Sequence, residues 1–276
     1  MCTTCGCSDD ATAKITNMQT EKHDHDHSHE HGHDHSHEHD HHHEHNHDHG
    51  HEHDHAPKST TITLEEKILA KNDRLAERNR GWFEGSDILA INLVSSPGAG
   101  KTALLERTIT DLRERRNIIV MEGDQATTND AERIKKTGCP VLQINTGAGC
   151  HLDAEMIADG LKELKPAPGS LLFIENVGNL VCPALFDLGE KHKVVILSVT
   201  EGEDKPVKYP HMFRAAELMI LNKTDLLPHL NFDLEACKKY ALSVNPHLKI
   251  IEVSVTKGTG LETWYEWLRE KSPVPI

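Results

Sequence analysis

Short apolar runs alternate with amphipathic stretches along the chain from residue 88 onward. The apolar runs, which are strand candidates, are 88–94, 117–122, 140–145, 171–175, 194–199, 218–221 and 250–254. The stretches with apolar residues at helical spacing are 102–116, 129–136, 153–164, 234–244 and 261–269. Buried strands that alternate with helices are typical of a parallel sheet covered on both faces. The pattern therefore predicts an α/β domain with a mainly parallel central sheet flanked by helices.

The chain before residue 88 divides into a part with apolar residues at helical spacing and a part that is almost entirely polar. Apolar residues from Leu64 to Trp82 recur at roughly helical spacing, and Thr63 is the candidate N-cap of the helix they predict. Residues 23–55 contain no large apolar residue, so they have no face to bury. We predict three units, which are a Cys-rich head over 1–7, a disordered His-rich tract with its linker over 8–63, and a folded domain over 64–276.

Histidine occupies almost every second position of the tract over 23–55, which holds 18 histidines, 10 acidic residues and no lysine or arginine. Neutral imidazoles on a flexible chain can bind several Ni²⁺, Zn²⁺ or Cu²⁺ ions, in competition with protons near a pH of about 6.5. An expression tag and a solvating acidic tail are the alternatives. Tags are usually contiguous histidine runs, and solubility does not require this many histidines. We interpret the tract as a metal reservoir.

The net charge of −14 is concentrated near the N-terminus, where residues 1–57 hold 13 acidic and 2 basic residues. A net-negative chain gains nothing from counterion release, so nucleic acid is not an expected partner. The apolar runs are far shorter than the roughly 20 residues that span a bilayer, so a membrane is not expected either. The seven cysteines, an odd number, and the absence of a secretory signal pattern predict a cytoplasmic protein.

A glycine-rich loop directly follows the first predicted strand and opens the first long helix. It reads Ser95-Ser96-Pro97-Gly98-Ala99-Gly100-Lys101-Thr102, with Ser95 where the usual phosphate-loop pattern has glycine. Its backbone N–H groups and the helix N-terminus suit phosphate, Lys101 can reach the β- and γ-phosphates, and the Thr102 hydroxyl can bind Mg²⁺. The predicted nucleotide-binding residues of this loop are Gly98, Ala99, Gly100, Lys101, Thr102 and Ala103.

Guanine is the base that the downstream motifs favour. Asn222-Lys223-Thr224-Asp225 follows the strand at 218–221, and Asp225 can accept hydrogen bonds from both guanine N1–H and N2–H₂. Adenine would leave that carboxylate unpaired, which is costly. Asn222 would hold N7 and its own loop, while the stem of Lys223 would cover the ring. Ser254 and Val255 begin a loop that would bring a backbone N–H to guanine O6. The predicted substrate is GTP, hydrolysed to GDP.

Two acidic residues at strand ends complete a candidate magnesium site. Asp124 ends the second strand and Glu175 ends the fourth, where Gly178 is free to give its N–H to the γ-phosphate. The alternative for Asp124 is a helix N-cap. Asn179 stands where many GTPases have a water-orienting glutamine, so we expect slow intrinsic hydrolysis. Lys101, Thr102, Asp124 and Glu175 are the predicted catalytic residues.

Cysteines form two candidate metal sites. Cys150 and His151 lie in a glycine-rich loop, and Cys182 lies seven residues after Glu175, in the segment that would move with the γ-phosphate. Two thiolates and an imidazole suit Zn²⁺, or Ni²⁺ in planar geometry, and a symmetric dimer would bring two sets together. The alternative for a buried cysteine is a small apolar filler, which we prefer for Cys139 and Cys237.

The head carries the second set, Cys2, Cys5 and Cys7. Three thiolates and the N-terminal amine suit square-planar Ni²⁺. A redox role, or simple thiol exposure, is the alternative.

These motifs together resemble the HypB family of hydrogenase nickel-incorporation GTPases. The resemblance covers the head and runs from about residue 71 to the C-terminus, and it rests on the segments 2–7, 95–102, 122–124, 149–153, 175–183, 201–206 and 222–225. It implies a SIMIBI-type P-loop GTPase that forms a homodimer on GTP binding. It also implies nickel delivery to the precursor of the large [NiFe]-hydrogenase subunit, with the zinc-containing accessory protein HypA as partner.

The resemblance further implies that Cys2, Cys5 and Cys7 form a tight nickel site. It implies that Cys150, His151 and Cys182 form a nickel or zinc site at the dimer interface. The expected function is a GTP-gated nickel metallochaperone. The alternatives are a nickel or zinc storage protein with an incidental G domain, and a zinc or cobalt chaperone for another metalloenzyme.

Overall fold

The computed structural model describes residues 13–19, 58–125 and 127–275. The strands are β1 Lys14–Asn17, β2 Leu89–Ser95, β3 Ile118–Asp124, β4 Val141–Asn145, β5 Leu171–Glu175, β6 His192–Ser198, β7 Leu218–Asn222 and β8 Lys249–Glu252. The α-helices are α1 Lys58–Gly85, α2 Lys101–Leu112, α3 Asn129–Lys136, α4 Ala154–Leu164, α5 Lys205–Lys208, α6 Pro210–Ala215, α7 Leu234–Val244 and α8 Leu261–Lys271. Two 3₁₀ helices span Cys182–Ala184 and Thr224–His229.

The strands form one sheet in the order β1-β4-β3-β5-β2-β6-β7-β8. Every neighbouring pair from β4 to β8 is parallel. Helices cover both faces: α2, α3 and α8 share one apolar cluster with the sheet, while α1 and α4 share another on the opposite face. The predicted α/β fold with a mainly parallel sheet is therefore confirmed.

The edge strand β1 is antiparallel to β4, with Lys14 beside Asn145 and Asn17 beside Leu142. The sequence does not predict this strand, because four residues with one large apolar side chain, Ile15, show no alternation of apolar and polar positions. The strand lies inside the segment 8–63 for which disorder is predicted, so that prediction is wrong here.

Helix α1 begins at Lys58. The expected N-cap at Thr63 is therefore wrong, since Thr63 lies inside the helix. The head over 1–7 and the tract over 23–55 lie outside the described residues.

The carboxyl ends of the parallel strands meet at one edge of the sheet, where ligands bind in open α/β folds. The sequence-predicted site residues of the described chain all lie at this edge. They are the last residues of β3, β5 and β7 and residues of the segments that follow β2, β4, β5, β7 and β8. Among the described residues, no helix is both long and apolar enough to cross a membrane.

Candidate nucleotide and metal site

The turn between β2 and α2 has the backbone of a phosphate-binding loop. Gly98 and Gly100 have φ values of +75° and +101°, in the left-handed region that favours glycine. A Cβ on Gly100 would lie 2.4 Å from Nδ2 of Asn222. Because the guanine-motif asparagine packs this closely, only glycine fits at position 100. Ala99 is buried in the same turn, and Ala103 lies in the first turn of α2.

Lys101 is buried at the start of α2, and its Nζ donates a hydrogen bond to Oγ of Ser95 at 2.8 Å. Burial lowers the pKa of Lys101, while nearby carboxylates, Glu175 foremost, oppose that shift. Ser95, the departure from the usual loop pattern, therefore supplies an acceptor for the ammonium group. A buried cation beside a ring of N–H groups is suited to binding phosphate oxygens.

Thr102 and Glu175 come together as the magnesium hypothesis requires. The Thr102 hydroxyl donates to Oε1 of Glu175 at 2.7 Å, while Oε2 of Glu175 is buried without a hydrogen-bond partner. Burial raises the pKa of Glu175 to about 7, although Lys101 and Thr102 act in the opposite direction. A buried carboxylate with an unused oxygen beside a threonine hydroxyl fits a divalent cation with oxygen ligands.

Glu122 is a neighbour of Glu175 that is not among the site residues predicted from the sequence. The two residues are register partners on adjacent parallel strands, and each is 2% exposed. The pKa of Glu122 is raised to about 9. Burial is the main cause, and the charges of Glu175 and Asp124 add to it. Its Oε2 is also buried without a partner. Only the strand order reveals this pairing, because the two residues are far apart in the sequence.

Asp124 closes the turn that follows β3. Its carboxylate accepts hydrogen bonds from the backbone N–H of Gln125 at 2.7 Å and from the hydroxyl of Thr127 at 2.5 Å. The N-cap position of α3 is Thr128. The N-cap alternative for Asp124 is therefore wrong, and the carboxylate instead orders the loop that leads to that helix.

The guanine motif is joined to the phosphate loop by direct hydrogen bonds. Nδ2 of Asn222 donates to the carbonyl oxygen of Ala99 at 2.9 Å, and Nζ of Lys223 donates to the carbonyl oxygen of Gly98 at 2.7 Å. The two loops are thus positioned together before any base is bound.

Asp225 is held by the loop that follows β8. The Ser254 hydroxyl donates to Oδ1 of Asp225 at 2.5 Å. The N–H of Ser254 donates to the carbonyl oxygen of Thr259 at 2.9 Å, and Val255 packs against the main apolar cluster. Both predicted base-reading segments therefore lie side by side, with the aspartate carboxylate oriented by a fixed donor.

Cys150, His151 and Cys182 converge, with one candidate ligand atom from each lying within 4.8 Å of the others. The two Sγ atoms are 2.9 Å apart, and Sγ of Cys150 lies 3.7 Å from Nδ1 of His151. Cys150 and His151 come from the loop between β4 and α4, whereas Cys182 begins the 3₁₀ helix after β5. These donors suit a thiophilic divalent cation such as Ni²⁺ or Zn²⁺.

The imidazole of this set is held in a partly apolar surround. The ring of His151 lies 3.8 Å from that of Phe186, centroid to centroid, with an interplanar angle of 30°. Burial lowers the pKa of His151, and Asp153 opposes the shift. The neutral imidazole, which is the metal-binding form, is therefore favoured at neutral pH.

The segment between β4 and α4 that carries Cys150 and His151 is called the metal loop below. Two hydrogen bonds connect it to the nucleotide side of the site. Nδ2 of Asn179 donates to the carbonyl oxygen of Cys150 at 3.2 Å, and Nε2 of Gln125 donates to that of Gly149 at 3.2 Å. Gly178 lies directly against the phosphate loop, since a Cβ there would be 3.1 Å from Cα of Pro97. The segment after Glu175 thus contacts both the phosphate loop and the metal loop.

The remaining described cysteines are not part of this set. Cys139 and Cys237 are free and buried, and burial raises the pKa of each thiol to about 12. Their interpretation as small apolar fillers is confirmed. Cys2, Cys5 and Cys7 lie outside the described residues.

Comparison with known proteins agrees with a nucleotide-binding domain. Residues 89–252 match the family model described as CobW/HypB/UreG, nucleotide-binding domain. A hydrogenase maturation factor HypB from Azotobacter vinelandii is 60% identical over 214 residues, which covers 78% of this chain and 71% of the relative. The chain belongs to the HypB family. The HypB of Escherichia coli strain K12 is likewise 60% identical over 207 residues, covering 75% of this chain and 71% of that protein.

Solved HypB structures share the fold. HypB from Archaeoglobus fulgidus is 44% identical with a TM-score of 0.69, covering 73% of this chain and 98% of that one. HypB from Helicobacter pylori, crystallised in complex with nickel, is 38% identical with a TM-score of 0.68, covering 73% of this chain and 95% of that one. The resemblance found from the motifs is confirmed, and this HypB-family chain carries the family's nucleotide-binding domain.

Proposed function

We propose that this chain is a GTP-hydrolysing nickel metallochaperone that helps to insert nickel into the precursor of the [NiFe]-hydrogenase large subunit. The observation that carries the proposal is that one segment, the loop after β5, takes part in both the nucleotide site and the metal site. Asn179 follows the γ-phosphate switch and bonds to Cys150, while Cys182 lies three residues further along. A change at the nucleotide is therefore transmitted to the metal donors through one short segment.

The nucleotide half of the function rests on the phosphate loop and its neighbours. Gly98, Gly100 and the N-terminus of α2 would bind the phosphates through backbone N–H groups, and Lys101 would contact the β- and γ-phosphates. Thr102, Asp124 and Glu175 would hold Mg²⁺, which would offset the phosphate charge. Asp225 would select guanine. Supporting this, Oε2 of Glu175 is buried and unpaired, as a cation ligand would be before the cation binds.

Hydrolysis is proposed to be slow in the isolated protein. The side chain of Asn179 bonds to the carbonyl of Cys150 and accepts from the N–H of Val181 at 2.8 Å. Both ends of this amide already bond to the backbone, which favours a role in holding the loop over one in orienting a water molecule. A second subunit or partner would supply the missing group.

The metal half of the function rests on Cys150, His151 and Cys182, with nickel as the cargo. Zn²⁺ is the competing ion for the same donors. GTP would order Glu175 and Gly178 against the phosphates and shift Cys182 relative to the other two donors. Hydrolysis would relax that geometry and release nickel to the next protein.

A homodimer formed on GTP binding is part of the proposal. Val181 and Leu185, which flank Cys182, are 52% and 45% exposed. Large apolar side chains beside a three-donor metal set suit burial against a second copy, which would complete the coordination. A HypA-type accessory protein and the hydrogenase precursor are the proposed partners in the cytoplasm.

The head and the histidine tract would add nickel capacity. Cys2, Cys5 and Cys7 would form a tight site, and the 18 histidines of the tract would store further ions.

A nickel titration of the full chain in which Cys2, Cys5 and Cys7 are replaced by serine tests the gating. The thiolate-to-nickel absorption band reports only cysteine ligation, so histidine binding in the tract does not contribute. We expect the affinity for Ni²⁺ to differ between the GDP-bound form and the form bound to a non-hydrolysable GTP analogue. Equal affinities would overturn the proposal, because a ligand without differential affinity shifts no equilibrium.

A further inference from the structure

Helix α1 forms hydrogen bonds to both of the chain segments that carry the metal donors. Asn72 and Asn79, seven residues apart and therefore two turns apart on one face of the helix, are 5% and 3% exposed. Neither residue belongs to the phosphate loop, the guanine motif or the metal set. Buried amides of this kind require partners, and those partners define what the helix holds.

Each asparagine bonds to both segments. Nδ2 of Asn79 donates to the carbonyl oxygens of Ala154 at 2.8 Å and of Leu188 at 3.1 Å. Nδ2 of Asn72 donates to the carbonyl oxygen of Asp187 at 2.8 Å, and its Oδ1 accepts from the N–H of Ala154 at 2.9 Å. Each side chain thus bridges two stretches of backbone that are far apart in the sequence.

These stretches lie immediately beyond the metal donors. Ala154 follows His151 by three residues, and Leu188 follows Cys182 by six. The two asparagines therefore fix the loop of Cys150 and His151 relative to the loop of Cys182.

Close packing prevents the second stretch from sliding along the helix. Gly189 has a φ of +87°, and a Cβ on it would lie 2.5 Å from the carbonyl oxygen of Ala76. Next to it, Nη1 of Arg80 donates to the carbonyl oxygen of Glu190 at 2.9 Å. The helix and the loop are thus in direct backbone contact between the two bridging amides.

We propose that Asn72 and Asn79 are positioning residues of the metal site, which set the distance between its two loops. The inference rests on the proposed function of Cys150, His151 and Cys182. A donor set held in place by surrounding hydrogen bonds loses less conformational freedom on binding. Groups bonded directly to metal ligands typically contribute about 10- to 100-fold in affinity, and bonds to the adjoining backbone should contribute at the lower end of that range. Helix α1 therefore contributes to metal affinity without contacting the metal.

The test uses the full chain in which Cys2, Cys5 and Cys7 are serine, with free Ni²⁺ set by a chelator buffer. The thiolate-to-nickel band then reports Cys150 and Cys182, because the other cysteines are buried thiols. Asn79→Asp is isosteric but removes both donors. We expect it to raise the half-saturating free Ni²⁺ concentration by about 10-fold, with GTP affinity unchanged within about 2-fold.

Asn117→Asp is the control. Nδ2 of Asn117 donates to Oγ of Ser170 at 3.0 Å, and these two residues precede β3 and β5 at the amino edge of the sheet, opposite the metal donors. The variant also loses a side-chain hydrogen bond, and it should leave the nickel affinity unchanged. An equal loss of nickel affinity in this control would overturn the proposal, because the effect would then be general destabilisation.

Asn72→Asp provides a milder variant that retains the acceptor for Ala154 and loses one donor. It should weaken nickel binding less than Asn79→Asp does, and it serves if the latter fails to fold. Unchanged nickel affinity in both variants, with a band that Cys150→Ser abolishes, would overturn the positioning role alone. Absence of the band in the parent chain would overturn the metal site and the positioning role together.

Discussion

The side-chain amide of Asn179 donates a hydrogen bond to the carbonyl oxygen of Cys150 across 3.2 Å. Asn179 directly follows Gly178, which packs against Pro97 of the phosphate loop, and Cys150 is one of the three candidate metal donors. A single side chain therefore spans the nucleotide switch and the metal loop. The proposed coupling between the two sites therefore depends on one identified hydrogen bond, from Nδ2 of Asn179 to the carbonyl oxygen of Cys150.

Replacing Asn179 by alanine should reduce the coupling between nucleotide and nickel. Coupling free energies between sites typically correspond to factors of about 5 to 150 in affinity. We expect the ratio of nickel affinities in the GDP and GTP-analogue states to fall toward one, with each nucleotide affinity retained. Thiolate-band titrations in both states measure this ratio.

Asn117→Ala is the control for that experiment. Nδ2 of Asn117 donates to Oγ of Ser170 at 3.0 Å, at the opposite edge of the sheet. Its loss should leave the ratio intact. A normal ratio in Asn179→Ala would show that the coupling follows another route.

Asp225→Asn should change the base that the site accepts. The carboxylate is oriented by the Ser254 hydroxyl, and an amide in its place cannot accept from both donors on guanine. We expect GTP affinity to fall by at least about 100-fold. Xanthine carries a carbonyl oxygen where guanine has its amino group, so xanthosine triphosphate should bind better than GTP. Equilibrium binding of both nucleotides measures the switch, and unaltered preference for GTP would remove Asp225 from the base site.

The buried pair of Glu122 and Glu175 should make the nucleotide-free protein less stable at higher pH. Folding raises the pKa of Glu122 from 4.5 to about 9, so its contribution to stability is fully present below about pH 4.5 and is lost as pH rises toward 9. Each pH unit inside that window removes up to about 1.4 kcal/mol from the free energy of unfolding. Between about pH 6 and pH 8, the loss due to Glu122 is at most about 3 kcal/mol.

Urea unfolding without nucleotide or divalent cations tests this difference. Glu122→Gln should flatten the pH dependence, whereas Glu114→Gln, at an exposed position, should leave it unchanged. Parallel slopes for the parent and Glu122→Gln would contradict the pairing. Added Mg²⁺ should also stabilise the parent most at the higher pH, since it binds the charged carboxylates.

Lys101→Ala should separate metal storage from nucleotide-dependent delivery. The variant loses the buried ammonium that we propose contacts the phosphates, so GTP affinity should fall by about 100-fold or more. Total nickel bound per chain should stay constant, because the histidine tract is proposed to hold most of it. Hydrogenase maturation in cells should fail, while Lys135→Ala, at an exposed position of α3, should support it normally. Maturation that survives in Lys101→Ala would favour the storage alternative.

The sequence predicted most of the sheet because buried parallel strands are continuous apolar runs. It predicted the phosphate loop, the guanine motif and the cysteine set because each consists of residues with distinctive chemistry at a characteristic spacing. Glu122 was missed because its importance depends on the register between β3 and β5. Asn72 and Asn79 were missed because they look like ordinary polar positions on a helix, and only the fold supplies their partners. Strand β1 was missed because it is short and lies next to a polar tract.

The antiparallel pairing of β1 also fixes where this segment begins. Lys14 lies beside Asn145 at the carboxyl end of β4, and Cys150 follows five residues later. Because β1 runs against the direction of its neighbour, Ala13 lies at the same edge of the sheet as the nucleotide and metal loops. A label attached at Ala13 would therefore report on that edge and not on the opposite one.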